Sequence, residues 1–206
     1  MNILHITSSP RGAASFSNRV ADNVLGELRR RHPGASVVTR DLARNPLPHA
    51  DADFVAATRS PDGPQTETQR GLLGLSDQLV DELLAADIVV IATPMINFTI
   101  PSHLKAWIDY VARAGRTFSY SEAGPKGLVN GKHVILVAAR GGVYADKQAL
   151  DFQVPYLKSV LAFLGMTDVE VLEVEGTAFG PEAAEKAVAA ASLKMQSRCN
   201  ALAAAA

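Results

Sequence analysis

The chain has 206 residues, 48% of them hydrophobic and 20% charged, with a formal net charge of −1. That is enough apolar material for a single domain with a two-sided core, and the even charge balance argues against a nucleic-acid surface or a polybasic membrane patch. No apolar run reaches the length of a membrane span, the N-terminus lacks the regions of a signal peptide, and the lone Cys199 allows neither an internal disulfide nor a cysteine-based metal site, so a reducing cytoplasm is expected and no metal.

Residues 2–7 read as a buried strand. A loop dense in hydroxyls and small residues follows, Thr7 to Ser17. The spacing of Val20, Val24, Leu25 and Leu28 then predicts a helix from Ser17 to Arg31, ended by His32-Pro33-Gly34. Ser36 to Leu42 form a second strand. Residues 43–65 hold four of the eleven prolines and no periodicity, so a long irregular connection is expected. Leu72, Leu75, Leu79 and Leu83 mark a helix over 65–85. Ile88 to Ala92 are apolar without alternation, as in a strand buried on both faces, and Thr93-Pro94 should end it. The apolar loop Met95 to Phe98 leads to a helix from Pro101 to about Ala114.

Residues 115–132 read as a small hairpin or extended excursion. Val134 to Ala139 form a fourth buried strand, followed by Arg140-Gly141-Gly142 and a helix from about Gln148 to Leu164, closed by Gly165. Val169 to Val174 form the fifth strand. Pro181 opens a long alanine-rich helix, and Ala201 to Ala206 are expected to fray. Strict alternation of strand and helix gives an α/β three-layer sandwich with a parallel sheet, and five strands with right-handed crossovers favour the flavodoxin-like order 2-1-3-4-5.

Three loops carry the chemistry. The first has neither G-x-G-x-x-G nor G-x-x-x-x-G-K-[ST]. It offers Ser8, Ser9, Ser15 and Ser17, with Arg11, ahead of a helix. That composition suits a phosphate monoester, and equally an ordinary capping loop. In the second loop Met95 and Phe98 can flank an aromatic ring and Asn97 can donate and accept, although core packing uses the same residue types. In the third, two glycines permit close approach of a planar ligand; Arg140 either stabilises negative charge on a reduced ring or is a surface cation. All three loops leave the C-terminal ends of strands, so the fold brings them to one edge. That convergence favours bound FMN, with the phosphate on the serine loop and the ring between the other two.

In combination, S-S-P-R…S-x-S, T-P-M-I-N-F-x-I-P-x-x-L-K-x-W-I-D, T-F-x-Y…G-P-x-G-L and A-R-G-G resemble the FMN-dependent NADH-azoreductases, over nearly the whole chain. These are flavodoxin-like homodimers that also act as NADH:quinone oxidoreductases. The resemblance implies hydride transfer from NADH or NADPH through FMN to a quinone or azo compound, with the pocket completed by a second subunit. It carries FMN contacts to Ser9, Ser15, Phe16, Ser17, Met95, Ile96, Asn97, Phe98, Ala139, Arg140, Gly141 and Gly142. Phe118, Tyr120, Tyr144, Phe152 and Tyr156 are candidates to wall the substrate pocket, or for several of them simply core. Two departures stand out: Ile96 where relatives often carry Tyr, and Ala139 where they carry Ser. Tyr144 stands where some relatives carry His. No amino-acid nucleophile is implied, and His103 is expected on a helix surface. The competing readings are a flavodoxin-type electron carrier serving protein partners, and a scaffold that has lost its cofactor.

Overall fold

In the computed structural model, five parallel strands form one sheet in the order β2-β1-β3-β6-β7. They are β1 (Asn2–Thr7), β2 (Ser36–Asp41), β3 (Ile88–Pro94), β6 (His133–Ala139) and β7 (Asp168–Val174). Counting only these five, the order is 2-1-3-4-5. The remaining two strands, β4 (Phe118–Ser121) and β5 (Gly124–Gly127), pair antiparallel as the hairpin expected from residues 115–132. The structure describes all residues except 61, 62, 64, 123, 145–149, 205 and 206, and no side chain beyond 196. The expected helix start at Gln148, the Cys199 side chain and the end of the alanine run lie outside them.

Helices cover both faces. On one side lie α1 (Phe16–Arg31) and α6 (Pro181–Ala204); on the other lie α2 (Ala52–Arg59), α3 (Glu67–Ala85), α4 (Ser102–Val111) and α5 (Val154–Leu164). The central strand shows why its sequence is apolar throughout: Val89 and Ile91 enter the core under α3, α4 and α5, while Val90 and Ala92 enter the core under α1. Trp107, Leu79, Leu83 and Leu104 fill the first core and are wholly buried. Each such side chain contributes about 1.5–3 kcal/mol of transfer free energy.

Two expected boundaries are corrected. The stretch 43–65 contains α2, capped by Asp51, whose carboxylate accepts the Phe54 N–H at 2.9 Å. With only Phe54 and Ala57 buried, this helix is too short to show a period. Phe54 stacks on Tyr110 with centroids 4.3 Å apart. The helix expected over 148–164 begins at Val154, because Asp151 accepts the N–H groups of Gln153 and Val154 and Pro155 occupies the first turn. The expected end of the third strand holds: β3 stops at Pro94, which pairs with Ala139 at the last rung, where its missing N–H costs nothing.

Candidate functional site

The chain leaves β1 through Ser8, whose N–H donates to the Ala92 carbonyl at 3.0 Å and ties the exit to β3. A short turn at Gly12–Ala14 follows, and Ser15 then caps α1. The Ser15 hydroxyl accepts the Asn18 N–H at 3.3 Å and lies 3.0 Å from the Ser17 hydroxyl. Ser8, Ser9, Ser15 and Ser17 are all buried. The N–H groups of Ser9, Phe16 and Ser17 have no acceptor among the described residues. The Arg11 guanidinium lies 5.0 Å from the centre of the Phe16 ring. Unpaired N–H groups at the positive end of a helix, ringed by hydroxyls, suit a phosphate.

The second loop is a tight turn. Met95 donates its N–H to the Ala139 carbonyl at 2.7 Å, and Ile96 and Thr99 exchange two bonds at 2.8 and 3.1 Å. Asn97 and Phe98, the central residues, therefore take positive φ of 47° and 71°. Asparagine tolerates this conformation; for phenylalanine it costs roughly 1–2 kcal/mol. Segment 151–153 holds it in place: Phe152 donates its N–H to the Phe98 carbonyl at 3.0 Å, and the Thr99 hydroxyl donates to the Phe152 carbonyl at 3.2 Å. The turn consumes the N–H groups of Met95 and Ile96. Those of Asn97 and Phe98 have no acceptor among the described residues.

In the third loop the N–H groups of Gly141 and Gly142 are likewise unpaired among the described residues, whereas the carbonyls are used. The carbonyls of Arg140, Gly141 and Gly142 accept from Thr177, Ala178 and Gly176, at 3.2, 3.1 and 3.0 Å. The loop after β7 is thus laced beside the loop after β6. Arg140 is not the surface cation that one reading of the sequence expected. Its guanidinium is 2% exposed and sits among three carboxylates. Nη1 is 2.9 Å from Glu175 and 3.4 Å from Glu173. Nη2 is 2.9 Å from Asp151, near enough for an ion pair but not aligned as a hydrogen bond. Nε donates to Gln153, whose amide donates to the Thr93 carbonyl, each at 3.3 Å. Glu175 also accepts the Tyr144 N–H at 3.0 Å. Arg140 is therefore a pin that fastens the third loop.

Between the three loops lies a cleft of about 340 Å³. Ser9, Ser15, Phe16, Met95, Ile96, Ala139, Arg140 and Gly141, all named from the motifs, line it together. Asn97 and Phe98 stand on the turn at its rim, Gly142 on the opposite loop, and Ser17 joins through its bond to Ser15. Pro10, Arg11, Pro94, Thr177 and Ala178 also line it. Thr177 and Ala178 lie outside the motifs; their only sequence signal is position, just past the last strand at the same sheet edge. A larger hollow of about 540 Å³ opens over His5, Thr39 and Asp41 between β2 and α1. Its carboxylates, Asp22 and Asp41, disfavour a phosphate, so the smaller cleft is the better match.

The aromatic candidates separate. Tyr120 and Phe152 are 72% and 57% exposed. Phe118 and Tyr156 pack against the core, Phe118 with its ring 4.7 Å from that of Phe163. Tyr144 lies beside Gly142, its ring 5.6 Å from the Arg140 guanidinium. His103 is half-buried and hydrogen-bonded to the Ser8 carbonyl, not on an open helix surface.

Residues 1–199 match the family model described as "Flavodoxin-like fold". An FMN-dependent NADH:quinone oxidoreductase of Agrobacterium fabrum is 55% identical over 197 residues, covering 95% of this chain and 96% of that protein. One from Mesorhizobium japonicum is 50% identical over 197 residues, covering 95% and 94%. Among solved structures, an azoreductase from Bacillus anthracis superposes with a TM-score of 0.89 at 31% identity, covering 97% of this chain and 99% of that one. The chain belongs to the flavodoxin-like FMN-dependent NADH:quinone oxidoreductase family. Against that family, the departure at Ala139 leaves the loop closure intact, because the Met95 N–H uses the Ala139 carbonyl whatever the side chain. Ile96 differs: its side chain is 39% exposed at the cleft, where it meets whatever enters.

The donor set fits FMN. A phosphate needs converging donors at one end, a flavin ring needs N–H groups along a polar edge, and its faces need apolar contact and room. The groups that could meet those requirements are the N–H groups of Ser9, Phe16 and Ser17, those of Asn97 and Phe98, and the side chains of Met95 and Ile96 opposite two glycines.

Proposed function

We propose that the cleft binds FMN and that this chain carries hydride from NADH or NADPH through it to quinones and aromatic azo compounds. The observation that carries this reading is a set of seven N–H groups, without acceptors among the described residues, on three loops around one cleft: Ser9, Phe16, Ser17, Asn97, Phe98, Gly141 and Gly142. Curated relatives named as FMN-dependent NADH:quinone oxidoreductases, half or more identical over nearly full length, support it.

A bound FMN would supply the hydride-transfer chemistry, and the protein would supply binding and orientation. Ser9, Phe16 and Ser17 hold the phosphate, with the Ser15 and Ser17 hydroxyls beside it. The Asn97 and Phe98 N–H groups orient the polar edge of the ring. Met95 and Ile96 would wall the ring, and Gly141 and Gly142 would let backbone approach it closely. Phe98 and Phe152 offer flat apolar surface to a planar substrate.

A homodimer completes the site in this reading. Ile96, Phe98, Val143, Phe152 and Phe179 are all large, apolar and exposed near the cleft edge, which supports cover by a second copy. Among the described residues no helix is long and apolar enough to cross a membrane, which accords with a cytoplasmic place. The test is a visible spectrum of the purified protein before and after anaerobic addition of NADH. Flavin bands that bleach within the mixing time support the reading. A colourless protein that fails to take up added FMN overturns it.

A further inference from the structure

We infer that His103 is a positioning residue for the cofactor phosphate, acting through the Ser8–Ser9 peptide; the inference rests on the FMN reading above. His103 lies in the first turn of α4, and its Nε2 is 2.5 Å from the Ser8 carbonyl oxygen. A carbonyl oxygen can only accept, so Nε2 carries the proton. The contact joins two segments 95 residues apart. On its other side, Ser8 is pinned by two bonds to the Ala92 carbonyl, 3.0 Å from its N–H and 3.3 Å from its hydroxyl.

The oxygen that His103 grips belongs to the same peptide unit as the Ser9 nitrogen. Peptide units are planar, and among the described residues none is cis. The Ser9 N–H therefore points opposite to the Ser8 carbonyl, away from α4. That N–H has no acceptor among the described residues, and Ser9 lines the cleft. By fixing the carbonyl, His103 fixes the aim of the N–H, and the bond it donates also polarises the peptide and strengthens that N–H as a donor. No proton moves from His103 to the substrate in this role. A glutamine at 103 can present an N–H to the same oxygen; an alanine cannot.

The experiment compares apoprotein of the wild type, His103→Ala and His103→Gln, titrated with FMN and with riboflavin by flavin fluorescence, alongside phosphorus NMR of bound FMN. His103→Ala should weaken FMN binding by roughly tenfold, the scale of one well-directed bond to a charged group, and leave riboflavin within about twofold. The bound phosphate resonance should shift in His103→Ala and return in His103→Gln, together with FMN affinity. Unchanged FMN affinity in His103→Ala overturns the inference. So does equal weakening of both flavins, or failure of His103→Gln to restore FMN binding. A wild type that binds neither flavin overturns the FMN reading itself and is distinguishable because no variant is needed to see it.

Discussion

Phe98 holds an aromatic side chain in a conformation that favours glycine or asparagine, with φ at 71°. Strain kept beside a binding cleft is expected where the shape of the backbone is what matters. Phe98→Gly should raise unfolding free energy by up to about 1 kcal/mol in urea denaturation, since the side chain is half exposed and loses little packing. On the proposed reading, in which Phe98 offers a planar substrate its apolar surface, the same variant should lower kcat/KM for quinones. Arg140→Met should behave oppositely. It leaves Asp151 and Glu175 without their cation in partly buried positions, at a cost of about 3–5 kcal/mol, and should lower flavin content because the third loop loses its pin. Glu173, half exposed, adds little to that cost. His5 is a third case. Burial holds its pKa below the ordinary 6.5, the Arg29 charge adding to the effect and Asp22 and Asp41 opposing it. The unfolded chain then binds the proton more readily, so stability is full above pH 6.5 and falls as pH drops through the folded value. The urea midpoint should fall less between pH 7.5 and 5.5 in His5→Gln than in the wild type. At this scale the sequence was half legible. The serine loop and Met95 to Phe98 lay in unbroken runs, whereas the partners of Arg140 and His103 are 11 to 95 positions away and no local pattern records them.

At the scale of elements, what was readable was what has a period or a run. The strands β1, β3 and β6 announce themselves as apolar stretches because both faces are buried, and α1 and α3 by their leucine and valine spacing. What was missed had neither. Helix α2 is eight residues long with two buried positions, and the loop after β7 acts through backbone bonds to a neighbour that only the folded sheet supplies. The hairpin β4–β5 was seen, but its anchor was not. A Cβ at Gly127 would lie 2.2 Å from the Gly165 nitrogen, so β5 meets the end of α5 backbone to backbone. Gly165 itself ends that helix with φ of 105°. Gly127→Ala should destabilise the fold by about 1–3 kcal/mol, read as a lowered Tm, and detach the hairpin before the sheet melts. Limited proteolysis near residue 122 should report that detachment.

For the whole molecule, topology came from alternation alone: strand and helix taking turns leave few arrangements, and the order 2-1-3-4-5 is the one observed. That order places the exits of β1, β3 and β6 side by side, which is why three separate motifs share one cleft. A chain of 21.8 kDa with Ile96, Phe98, Phe152 and Phe179 exposed near that cleft should sediment as a dimer. Phe179→Glu with Phe152→Glu should shift it toward monomer in analytical ultracentrifugation and reduce turnover together. The donors around the cleft have a further consequence. They are peptide groups, which every residue except proline possesses. On the proposed reading, side chains at positions such as Ile96 and Ala139 can change while those donors remain, so acceptor preference can shift without first losing the cofactor. A library randomised at Ile96 and Ala139 should keep its yellow colour in most members and spread widely in acceptor preference. A library that admits proline at 97 or 141 should turn colourless there.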